Sequence, residues 1–170
     1  MLHIDTFPVG GNEENKGAIG TYIHAGGKIG VLLELNCESD FGARTELFQE
    51  LLKDIAMHIA AADPRYIGKD QVSEVDIERQ KETYRAQATA TGKPPAILEK
   101  MVEGKLSKFY EESCLLEQPF IKDPSQSVAG IIATRAGKLG ENIRVRRFAR
   151  FKIGDLNFTV ATAKISAEEA

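Results

Sequence analysis

The chain reads as an α+β domain, an antiparallel sheet covered by helices, with a hairpin near the start and a long strand near the end. Three observations predict this class. Alternating apolar residues flank a Gly-Gly pair in "GAIGTYIHAGGKIGVLLELN", apolar residues recur at helical spacing between Arg44 and Phe109, and alternation returns over Ile143–Ile153. Strands at both ends of a run of helices suit one sheet with its helices on one face.

The 170 residues suit a single domain, or one domain with an appendage. Hydrophobic residues make up 42%, enough for a buried core, and 28% are charged, which is not a disordered composition. A net charge of −3 argues against a general nucleic-acid coat protein, while leaving room for a local basic patch. No apolar run reaches the roughly eighteen residues of a membrane span. The start, "MLHIDTFPVGG", lacks the basic residues and long apolar stretch of a secretion signal. Cys37 and Cys114 stand far apart without a CxxC pattern, as expected of buried thiols in a reducing cytoplasm.

In chain order, residues 1–17 form a Gly-, Asn- and Glu-rich leader, expected to be flexible. The hairpin over 18–37 turns on Gly26 and Gly27, because glycine adopts positive φ without steric cost. Its second strand places Ile29, Val31, Leu33 and Leu35 on one face, and Leu32 hints that the other is partly covered. From Arg44 to Ala62, Leu47, Leu51, Ile55 and Ile59 recur every four residues, flanked by Phe48, Leu52 and Ala56, which describes an amphipathic helix ended by "DPRY". A second helix starts near Ser73, with Asp76 in capping-box position, and runs toward Thr91, where "TGKPP" breaks it. A third uses Leu98, Met101, Val102, Leu106 and Phe109 as its buried stripe. "EQPFIKDPS" is an extended connector, and residues 127–139 are helical despite Gly130 and Gly137. In the last strand Ile143, Val145, Ala149, Phe151 and Ile153 share an apolar phase, interrupted by Arg147. Arg144, Arg146, Phe148, Arg150 and Lys152 share a basic one. The tail, 155–170, is short of pattern and expected to be flexible.

Little in this chain is built for covalent chemistry. Glu34, Glu38 and Asp40 match no dedicated metal loop. His3, His24 and His58 form no HxxxH pair, and no phosphate loop or nucleophile elbow is present. His58, beside the helical stripe, reads as a packed histidine. The basic strand could hold a single-stranded nucleic acid through Arg144, Arg146, Phe148 and Arg150, or serve as a plain exposed sheet face. The tetrapeptide "SDFG", at the junction of the hairpin and the first helix, also reads two ways. Ser39 or Asp40 caps free amides while Phe41 folds into the core, or Phe41 projects as an aromatic anchor for a partner.

The stretches "YIHAGGKIGVLLELNCESDFGAR", "KDIAMHIAAADPRYI", "GKPPAILEKMVEGKLSKFYEESCLLEQPFIKDPS" and "GENIRVRRFARFKIG" together resemble bacterial elongation factor Ts, in order from about Ala18 to Gly154. The short form of that family, with no coiled-coil segment inserted before the final strand, is the nearest in pattern. The resemblance implies a core domain over 18–154 that promotes exchange of GDP for GTP on elongation factor Tu. A Thr-Asp-Phe-Val tetrapeptide of the family, which helps dislodge the GTPase's magnesium ion, falls on Ser39, Asp40, Phe41 and Gly42. Asp40 and Phe41 match, Ser39 keeps a capping hydroxyl, and Gly42 lacks the family's side chain. The implied protein acts in the cytoplasm without covalent catalysis, resident metal or cofactor, and without a nucleic-acid or membrane partner. Resemblance to short members also implies a homodimer. Members begin with a ubiquitin-associated-like module, and seventeen leader residues fall short of the roughly forty a small domain needs. That module is expected to be absent, which leaves a truncated, non-exchanging interaction module as the alternative.

Overall fold

The computed structural model describes residues 16–163. The leader up to residue 15 and the tail from residue 164 lie outside the described residues. Strands β1 (Gly17–Ile23) and β2 (Ile29–Asn36) form the hairpin, closed by a loop in which Gly26 and Gly27 have φ of 90° and 68°. The short helix α1 (Asp40–Ala43) leads directly into α2 (Glu46–Ala62). Two further helices follow, α3 (Glu74–Thr89) and α4 (Pro95–Ser113). The "EQPFIKDPS" connector closes as a small hairpin of β3 (Pro119–Phe120) and β4 (Asp123–Ser127). Helix α5 (Val128–Leu139), β5 (Arg144–Lys152) and β6 (Thr159–Thr162) complete the chain.

The main sheet runs β1-β2-β5-β6, antiparallel throughout, with α2 packed across β1 and β2 and α5 packed on α2. Val31, Leu33 and Leu35 meet Phe48, Leu51, Leu52, Ile55 and Ile59 in one core, as the two periodicities require. Each fully buried Leu, Ile or Phe contributes about 2 kcal/mol by removal from water. Leu47 is only half-buried, since the stripe is centred on Phe48, Leu51 and Ile55. The helix ends at Asp63, whose left-handed φ of 49° is one that Asp tolerates better than most residues.

Helices α3 and α4 pack on each other. Of the expected α4 stripe only Val102 is fully buried, while Leu98, Met101, Leu106 and Phe109 are half-covered, because one neighbouring helix shields one side only. Ser73 caps α3 as expected, accepting from the Asp76 amide at 3.1 Å.

The last strand departs from its expected phasing. The register pairs Leu35 with Val145 but Glu34 with Arg147, so Arg146 is an extra residue and β5 bulges there. Side chains change faces across it. Val145 points into the core before the bulge, and Phe148 (2% exposed) and Arg150 (5% exposed) after it. Phe151 and Ile153, expected inside, lie outside at 54% and 74% exposure. The contiguous basic face expected of this strand therefore does not form. Phe148 is core, Arg150 is buried against α2, Arg147 pairs with Glu34 at 2.6 Å, and Arg146 donates to the Ala163 carbonyl at 3.1 Å.

A second correction concerns residues 159–162, assigned above to the tail. They form β6 along the outer edge of β5, with Ala161 buried opposite Phe148 and the Thr162 carbonyl held by the Gln71 amide at 2.7 Å. Among the described residues no helix is long and apolar enough to cross a membrane.

Candidate functional site: an aromatic corner between sheet and helix

Where β2 leaves the sheet, Cys37 is buried and its thiol donates to the Ser39 carbonyl at 3.2 Å, turning the chain sharply. Ser39 is the N-cap of α1. Its hydroxyl oxygen accepts from the Gly42 amide at 2.9 Å, and the hydroxyl proton goes to the Glu141 carboxylate. A second cap follows at once, since Thr45 accepts from the Phe48 amide at 3.3 Å and donates to the Gly42 carbonyl at 2.7 Å. Two caps within seven residues leave the corner little freedom.

The four predicted residues divide by exposure. Ser39 is half-buried, Gly42 is buried, Asp40 is exposed, and Phe41 is 80% exposed. Both readings of the tetrapeptide thus hold a part of the geometry: the serine caps, and the ring does not fold back. The benzyl ring thus stands outward on a turn braced by its neighbours.

The bracing comes from across the fold. Helix α5 ends at Gly140, whose φ of 76° directs the next residues toward the corner. There the Glu141 carboxylate accepts from the Glu38 and Ser39 amides, each at 3.1 Å, and from the Ser39 hydroxyl. The adjacent Asn142 amide donates to Glu38 at 3.1 Å. Hydrogen bonds from Ser39, its hydroxyl foremost, hold the Glu141 carboxyl below the ordinary carboxylate range. No local pattern joins residue 39 to residue 141, and the only sequence signal was that both fall within stretches quoted for the family resemblance.

The remaining candidates have structural partners. Glu34 is engaged by Arg147 and Glu38 by Asn142. Among the described residues no group of three or more His, Cys, Asp or Glu side chains could hold a metal ion. Cys114 is buried, and burial pushes its thiol up to about 11. His58 is buried in the core between Gln118 and the Ile121 amide.

The fold and this corner define the class as an α+β domain that presents an exposed aromatic ring on a doubly capped turn. Comparison with known sequences makes that class specific. A family model described as Elongation factor TS matches residues 8–155. The chain is 62% identical over 154 residues to elongation factor Ts of Koribacter versatilis, covering 91% of this chain and 70% of that protein. It is 55% identical over 154 residues to the Solibacter usitatus protein of the same name, covering 91% and 73% of the two chains. The Geobacter sulfurreducens protein, also of that name, is 54% identical over 145 residues, or 85% and 67%. The chain belongs to the elongation factor Ts family and is by class a translation elongation factor.

Proposed function

We propose that this chain promotes exchange of GDP for GTP on elongation factor Tu, with Ser39, Asp40, Phe41 and Gly42 as the contact that disturbs the GTPase's magnesium site. The observation that carries the reading is Phe41, 80% exposed on a turn that the rest of the fold holds still. A pre-ordered aromatic loses little conformational entropy on insertion, so more of its burial energy is available to distort the partner. Asp40 brings negative charge to the same place. Magnesium is the largest local charge in a nucleotide site and neutralises the phosphates. Moving its coordinating groups weakens nucleotide binding without breaking a covalent bond. By linkage, the nucleotide weakens the exchange factor's binding by the same factor, so the reaction runs in both directions. No acid, base or resident cofactor is needed on this chain, and the reading implies action in the cytoplasm.

Release of a fluorescent GDP analogue from the GTPase is the test. Phe41→Ala should slow the stimulated rate by about thirtyfold or more, as for truncation of an aromatic anchor. Stimulation by the unaltered chain no greater than by Phe41→Ala would overturn the reading and leave a non-exchanging interaction module. The stacking face that the nucleic-acid reading relies on is not offered to solvent, since Phe148 and Arg150 are buried.

We also propose that the outer sheet face pairs with a second copy. Ile19, Ile23, Leu32, Phe151 and Val160 all lie there at 49% exposure or more, and Phe151 stacks on Phe158 with ring centroids 4.8 Å apart. A contiguous apolar patch of this kind is typical of an interface.

A further inference from the structure

We propose that Glu141 is a positioning residue for the Phe41 corner, and that Gly42 is glycine in this chain to make room for its carboxylate. The inference rests on the exchange reading above and adds to it how the ring is aimed.

Two independent observations meet at this point. The first is the set of three hydrogen bonds that Glu141 accepts, from the amides of Glu38 and Ser39 and from the Ser39 hydroxyl. They fix the backbone immediately before Phe41. The hydroxyl bond also settles the direction of the Ser39 proton, which leaves an oxygen lone pair aimed at the Gly42 amide. The carboxylate thereby acts on α1 at one remove, by orienting the cap that starts it.

The second observation is steric. A Cβ built on Gly42 would overlap the Glu141 carboxylate, both oxygens and the carbon between them. The obstacle is the end of a side chain rather than backbone, so a substituent there would require the carboxylate to shift from the place where it accepts its hydrogen bonds. Gly42 has no positive φ that would account for glycine. Its requirement is space, and the occupant of that space is the clamp. A corner with a larger residue at position 42 cannot hold Glu141 in this position, so the missing side chain and the carboxylate form one unit.

The chain contains no tryptophan, so Phe41→Trp places a single indole reporter at the tip. In the free protein, adding Glu141→Ala to that variant should lower the indole's fluorescence anisotropy, and Glu141→Gln, which keeps one acceptor oxygen, should lower it less. With Phe41 retained, Glu141→Ala should reduce the maximal rate of fluorescent-GDP release about tenfold or more, as for a displaced reacting geometry. The half-saturating concentration should change less, and far-UV circular dichroism should report an intact fold. Gly42→Ala, which evicts the carboxylate from the other side, should reproduce both effects and be non-additive with Glu141→Ala. It also supplies the answer if Glu141→Ala does not fold. Unchanged anisotropy, or an unchanged maximal rate despite lowered anisotropy, would overturn the inference. If instead Phe41→Ala leaves exchange untouched, the exchange reading fails, and the inference that depends on it falls too. The anisotropy measurement in the free protein still reports separately whether the carboxylate orders the corner.

Discussion

His58 shows how one side chain can tie three segments together. Its Nδ1 accepts from the Ile121 amide at 3.1 Å, so Nε2 carries the proton and donates to the Gln118 side-chain oxygen at 2.9 Å. The Gln118 amide in turn donates to the Glu112 carbonyl at 2.8 Å, linking α2, the end of α4 and the β3–β4 hairpin. Burial lowers the His58 pKa from its ordinary 6.5, because a charged ring would be desolvated and would lose its acceptor nitrogen. The unfolded chain therefore binds the proton more tightly than the fold does. The stability gained from neutral His58 is complete above about pH 6.5 and is lost as pH falls below it toward the depressed folded value. Thermal unfolding followed between pH 7 and 5 should show Tm declining, with a shallower decline in His58→Gln. Equal slopes would assign the acid sensitivity elsewhere. At this scale legibility follows sequence distance. Capping by Ser39, Thr45 or Ser73 spans three residues and follows from local chemistry, whereas the Glu141 contact spans more than a hundred and leaves no local mark.

Among the elements, α2 and β5 depend on one another through Arg150. Its guanidinium donates to the Ala60 carbonyl from Nε at 3.3 Å and Nη2 at 3.1 Å, and pairs with Asp63 at 3.0 Å. A cation placed at a helix C-terminus satisfies an otherwise unbonded carbonyl and opposes the negative end of the helix dipole. Arg150→Met keeps much of the volume but strips the carbonyl of its partner in a buried setting. It should destabilise the fold by about 1–3 kcal/mol in urea titration, and Arg150→Lys should recover part of that. No loss in Arg150→Met would mean that water replaces the guanidinium. The helices were legible because a period near 3.6 persists over many residues. The phase of β5 was misread for a definite reason: a single inserted residue reverses a period-two pattern, and composition does not reveal where the insertion sits. Strand β6 escaped notice because four residues, Thr-Val-Ala-Thr, carry too little alternation to distinguish from a tail.

For the molecule as a whole, the two faces of the sheet have different roles. The inner face is filled by α2, and the outer face keeps Ile19, Ile23, Leu32, Phe151 and Val160 in contact with solvent in the single chain. Leu32 hints at a partly covered face, but it is 49% exposed, so the described residues leave that face largely open. Sedimentation across micromolar concentrations should show self-association of the unaltered chain, and Phe151→Glu should shift it toward monomer while leaving the fold intact. A monomer throughout would overturn the pairing proposed above. The corner bearing Phe41 belongs to the junction of β2 and α1 whereas Phe151 lies on β5, so Phe151→Glu offers a separate handle from Phe41→Ala.

The supernumerary Arg146 has one more consequence. Phe148 and Phe151 stand three residues apart, an odd number that would ordinarily put them on opposite sides, and the bulge decides which of them goes inward. Removing one residue from this stretch would trade the packed ring for the wetted one, upsetting core and surface together. The strand can therefore vary in spelling but not in length.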